Sequence, residues 1–194
     1  MALGLPSGGD FNPYINWAAT DQAFKIKGED GGTVEIEIDE VVIDFENLKR
    51  GHGLIKEGSP PEWVWYDDLA LDAPFPDKPD DRAWKPGVCV QFFMGGEDLY
   101  DMSTNASGAL IGIDEAHDKY LAGSDANKGK VAVFKYTGNR GIRIGKGNSR
   151  VPEFDLVKWI DRPAELEVEE SEGEANSNAA PAEAPKKAAG GSQF

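Results

Sequence analysis

The chain has 194 residues and a formal net charge of -15, with 35 acids against 20 Lys and Arg. That length supports one folded domain with a core and an appendage, and is too short for two large domains. The acidity excludes a protein whose whole surface grips phosphate, because a negative field repels polyanions.

The opening segment, 1–10, bears Gly and Pro and reads as loose, while Phe11, Tyr14 and Trp17 can anchor the chain just after it. It has no charged-then-apolar leader, and no apolar run approaches the roughly 18 residues that span a bilayer. The expectation is a soluble protein that is neither secreted nor inserted in a membrane.

Residues 33–47 read as a long strand. Val34, Ile36 and Ile38 share one parity and Val41, Ile43 and Phe45 the other, so a bulge near Asp39 or Glu40 reconciles them. A strand bent this sharply suits the first strand of a small closed barrel. Further strands are expected at 53–56, 88–94, 99–103, 130–137, 141–144 and 153–160. Cys89 lies among Val88, Val90, Phe92 and Phe93, as a structural thiol in a buried strand, which fits a reducing, cytoplasmic setting.

Between them, 57–87 is a Pro- and Asp-rich insertion with unusual aromatic density: Trp63, Trp65, Tyr66, Phe75 and Trp84. Bases stack on such rings for about 1–3 kcal/mol each, which makes Trp63, Trp65 and Trp84 candidate nucleobase platforms. The other reading is a mini-core that pins the insertion to the domain. Asp67, Asp68, Asp72, Asp77, Asp80 and Asp81 share the segment and repel phosphate.

One helix is predicted at 105–121, where Ala106, Ala109, Leu110, Ile113, Ala116, Tyr120 and Leu121 recur at three- and four-residue steps. Ser103 or Thr104 can cap its start and Gly123 can stop it. Strands, one helix, then strands again is the order of the oligonucleotide-binding (OB) barrel, so the expected fold is mainly β: an OB-like barrel over 11–163 with one helix and a long insertion. From 164 onward Glu, Ala, Ser, Asn, Pro and Gly dominate, and 164–194 is expected to be a disordered acidic tail.

The segment 126–152 holds seven Lys or Arg and no acid: Lys128, Lys130, Lys135, Arg140, Arg143, Lys146 and Arg150. Phe134 and Tyr136 interleave with them, and four glycines permit close approach of a polyanion. This pattern predicts a single-strand nucleic-acid groove; a hairpin charged only for solubility is the alternative.

Catalytic patterns are lacking in the sequence. His52 and His117 have no ligand spacing for zinc, the glycines around Lys146 miss the phosphate-loop pattern, and no Ser/His/Asp grouping can be drawn. A non-enzyme without cofactor or metal is expected.

The phrases PSGGDFNPYINW, DGGTVEIEIDEVVIDFENLKRG and PEFDLVKWIDRP, the last leading to an acidic tail, resemble phage-encoded single-stranded DNA-binding proteins over roughly 7–163. The resemblance implies an OB barrel that coats single strands during replication, recombination or repair in a bacterial host's cytoplasm. It also implies that Glu169, Glu170 and Phe194 of the tail contact phage or host replication proteins. Gly190, Gly191, Ser192 and Gln193 precede Phe194 where that family carries acids. An acidic protein that mimics nucleic acid to block a host factor is the competing reading, from the acidity of the first 125 residues.

Overall fold

The computed structural model describes residues 12–28, 30–56, 58–66, 73–96 and 98–166. Segment 1–10, Glu169, Glu170 and Phe194 lie outside them. The fold is mainly β with one helix and two antiparallel sheets. Strands β1 (Ile15–Ala18), β2 (Ala23–Lys27) and β3 (Thr33–Ile36) form a small sheet in that order. The larger sheet has the order β7-β6-β4-β8-β9, from β4 (Glu40–Leu54), β6 (Lys85–Phe93), β7 (Leu99–Thr104), β8 (Lys130–Ile144) and β9 (Gly147–Asp161). Strand β5 (Glu62–Tyr66) pairs with the far half of β4.

The parity reversal after Ile38 is therefore a change of sheet. The chain leaves the small sheet at Ile36 and enters the large one at Glu40, and the register shift within β4 falls later, between Asp44 and Lys49. At that irregularity β4 turns: its first half lies between β6 and β8, its second between β6 and β5.

The expected closed barrel is corrected to an open sheet, since β7 and β9 are its two unjoined ends among the described residues. Strand β1 and the residues just before it reach both. The Asp101 amide on β7 donates to Pro13 O at 3.0 Å, and the Trp17 indole donates to Arg150 O on β9 at 3.0 Å. Phe24 of β2 accompanies it into the interior, packing on Phe92, Tyr136 and Phe154 with ring centroids 5.4–6.0 Å apart. The small sheet thus supplies the apolar surface that a β7–β9 pairing would otherwise have to cover.

The helix α1 spans Ser107–Ser124 and buries Ala109, Ile113 and Ala116 on the core. Gly123 lies inside it, and the chain continues into a 3₁₀ turn at Asp125–Asn127. Thr104 Oγ1 accepts from the Ala106 amide at 3.2 Å, steadying the entry without capping the first turn itself.

The folded part also extends beyond 163. Ala164–Leu166 form a 3₁₀ turn, and Leu166, 1 % exposed, packs with Val42, Phe93, Val131 and Val133. The cause is visible in β8: Val131 and Val133 face this second cluster while Ala132 and Phe134 face the main core, so both sides of the strand need cover. Arg162 fastens the turn, donating to Leu166 O at 3.0 and 3.2 Å while its guanidinium pairs with the buried Asp44 and, at 2.8 Å, with Glu46. No helix among the described residues is long and apolar enough to cross a membrane.

Candidate nucleic-acid interface

The seven cations of 126–152 do not form one groove. They sit along the β8–β9 hairpin, which pairs from Lys130↔Asp161 to Ile144↔Gly147 and reverses through Gly145 (φ +58) and Lys146, as a II′ turn requires. At about 3.4 Å per residue, Lys128 and Lys130 lie on the order of 40 Å from Arg143 at the tip.

The cations between are spoken for. Arg140 binds Glu115 of α1 at 2.5 Å and Glu153 at 3.4 Å, which raises its pKa, and Lys135 lies 3.4 Å from Asp39. On neighbouring strand β9, Lys158 pairs with Glu40 at 2.6 Å. Exposed pairs like these contribute little stability, but they cancel the local positive field. Arg143 and Lys146 are exposed and have no acid partner among the described residues; the Arg150 guanidinium donates to Asn139 Oδ1 at 3.5 Å and likewise has no acid partner among them. Lys128 and Lys130 likewise have no acid partner among the described residues, but they lie at the opposite end.

Two aromatic candidates are corrected. Phe134 is fully buried, its ring 5.9 Å from that of Phe45, so it is a core residue with no face for a base. Tyr136 is half-buried in the aromatic cluster of Trp17, Phe24 and Phe154. Their sequence neighbourhood is basic only because the alternating strand turns its lysines outward.

The aromatics of the insertion divide into two groups. Trp84 is 8 % exposed, donates to Asp80 Oδ1 at 2.9 Å and carries Arg82 5.1 Å above its ring; it pins the insertion. Arg82 also grips Glu62 at 2.9 Å, tying the segment to β5. The backbone amide and the guanidinium of Arg82 hold the Asp80 carboxyl below the usual range.

Trp63 and Trp65 are different. They project from the same side of β5 and stack on each other, with centroids 4.8 Å apart and planes 9° apart. The edges of their six-membered rings come close to Gly51 and Gly53, directly opposite on β4. A Cβ on Gly51 would come within 2.6 Å of the Trp65 ring, so only glycine lets the indoles lie on the strand. This aromatic cover of glycines also fixes the ring planes.

Trp65 opens onto a groove of about 690 Å³ that sequence reading missed. It runs across the sheet face opposite α1, where Lys49, Cys89 and Ser103 stand side by side on β4, β6 and β7. Tyr14 (59 % exposed), Asn47, Gln91 and Asp101 also line it. Burial raises the pKa of Cys89 and the Ser103 hydroxyl opposes it, leaving a weakly reactive thiol. Strand β1 links groove to hairpin: Tyr14 bridges to Asp101, and Trp17, three extended residues or roughly 10 Å on, holds Arg150.

A second, more apolar cavity of about 340 Å³ lies beneath α1, lined by Leu48, Phe75, Val88, Leu110, Ile113 and His117 among others. Arg50 lies over the Phe75 ring at 4.3 Å and donates to Ala73 O at 2.8 Å. His52 is buried in β4 with Nδ1 2.8 Å from Tyr66 Oη.

No family model, curated protein or solved structure matches the chain.

Proposed function

We propose that this is a single-strand nucleic-acid-binding protein without catalytic chemistry. The observation that carries the reading is the set of uncompensated cations at the hairpin tip, Arg143 and Lys146 with Arg150 behind them, in a chain of net charge -15. Strand β1 ties that tip to a groove floored by a glycine-seated indole. Phosphates are held at Arg143, Lys146 and Arg150, while bases stack on the open face of Trp65, with Trp63 behind it, and against Tyr14.

The connectivity supports this assignment. Taken as first to fifth strands, β4, β6, β7, β8 and β9, with α1 between third and fourth, follow the OB arrangement opened between its third and fifth strands. In that arrangement the second and third strands, with the loops after the first and fourth, bind oligonucleotides; here those parts carry the groove, Trp65 and the hairpin tip. The more particular reading is a phage-encoded protein that coats single-stranded DNA in the host cytoplasm during replication, recombination or repair. In it, the acidic tail containing Glu169, Glu170 and Phe194 contacts replication or recombination proteins.

Fluorescence anisotropy of a labelled oligonucleotide, titrated over a salt series against unlabelled duplex, tests the assignment. Preference for the single strand and affinity that falls with salt are expected. No binding at low salt would overturn it and turn attention to the acidic surface as the working face.

A further inference from the structure

The groove holds a hydrogen-bonding group whose direction is fixed. Asp44 has no exposed side-chain surface, and its carboxylate accepts from Arg162, from Asn47 Nδ2 at 2.7 Å and from the Glu46 amide at 3.2 Å. A carboxylate paired with a guanidinium only accepts, so the end of the Asn47 amide that meets it is the NH₂. The carbonyl Oδ1 therefore points away. No described residue donates to it, and no buried side-chain oxygen or nitrogen among them lacks a partner, so Oδ1 is accessible to solvent on a residue that lines the groove. Without Asp44 the amide could rotate and offer either end; with it, Asn47 is a permanent acceptor.

Further acceptors, Glu46 and Asp101, stand in the lining beside the possible donors Lys49, Gln91 and Ser103. Asp101 accepts from Asn12 at 3.2 Å and its carboxylate retains further acceptor capacity, while Lys49 is the cation of the groove. A base stacked on Trp65 turns its polar edge toward this lining. The exocyclic amino groups of cytosine and adenine donate to it, whereas thymine and uracil carry a carbonyl at the equivalent position, which meets Oδ1 acceptor to acceptor.

We infer that the groove favours cytosine and adenine, through their N4 and N6 amino groups, over thymine and uracil, with Asn47 as the specificity-determining residue. The inference rests on the proposed single-strand binding. Arg162 is a positioning residue, since it holds the carboxylate that orients Asn47.

The test is anisotropy at neutral pH with oligo-dC, oligo-dT and an oligo-dC whose N4 amino groups are dimethylated, all of equal length. Oligo-dC should bind about tenfold more tightly than oligo-dT, and dimethylation should remove that advantage. Asn47→Leu should level the two natural oligomers. Equal binding of oligo-dC and oligo-dT by the wild-type chain, or a preference that survives dimethylation, would overturn the inference even if the variant fails to fold. If no oligomer binds, the single-strand reading falls with it; if all bind alike, that reading stands and only the base preference is lost.

Discussion

Replacing Arg143, Lys146 and Arg150 together by Gln removes three positive charges from the hairpin tip and disturbs no ion pair, because none of the three is in one among the described residues. Each phosphate neutralised on a single strand contributes about -0.7 to the slope of log affinity against log salt. Three contacts thus contribute about -2.1, and a fourfold rise in salt costs them roughly 18-fold in affinity. The assay is anisotropy of a labelled oligonucleotide from about 50 to 200 mM salt, with Lys128→Gln/Lys130→Gln as the comparison. The tip variant should bind more weakly at low salt with a slope shallower by about two, while the comparison variant, altered on the order of 40 Å away, should keep the wild-type slope. An unchanged slope in the tip variant, or a slope lost on changing Lys128 and Lys130, would refute the division of the basic run into a binding tip and an idle base.

Trp65→Ala should weaken single-strand binding about 5- to 150-fold, the equivalent of 1–3 kcal/mol, and change the salt slope little, because it removes stacking and leaves the phosphate contacts. Arg162→Ala leaves Asp44 charged and buried without its partner; urea unfolding should report a loss of about 3–5 kcal/mol. Burial lowers the pKa of His117 below the ordinary 6.5, against the opposing pull of Asp114 and Asp118. The unfolded chain then binds this proton more readily, so the stabilisation is complete above the ordinary value and declines as pH falls below it. Urea midpoints measured between about pH 5 and 7 should show that decline, and His117→Gln should flatten it.

What could be read from residues alone was local. The period of 105–121 marks α1 to within three residues at its far end, and the Val88–Phe93 run marks β6. The parity reversal at 34–45 was visible, but a bulge and a change of sheet leave the same trace in sequence, and only the pairing partners tell them apart. β1 and β2 are four and five residues long and β5 lies among Pro and Asp, too short or too masked by turn residues for a pattern to register. For Phe134 a signal existed: the unbroken apolar run from Val131 suits a strand covered on both faces. The pairing of the basic run was not legible, since Arg140 finds Glu115 25 positions away, and neither was that of Lys158 beyond it, which finds Glu40 118 away. The groove depends on Gly51 and Gly53 lying opposite Trp65 and Trp63, a register no local pattern gives.

The bond from Trp17 to Arg150 joins residues 133 positions apart, and it is one of two ties by which β1 spans the ends of the open sheet. On a ribosome elongating at about 5–20 residues per second, the second partner of that bond emerges roughly 7–27 s after the first. Ile15 and Trp17, both buried in the finished fold, spend that interval without the surface that covers them. Sealing of the core therefore waits on the synthesis of β9, and the uncovered N-terminal apolar strand is where a chaperone or an aggregating neighbour would first take hold.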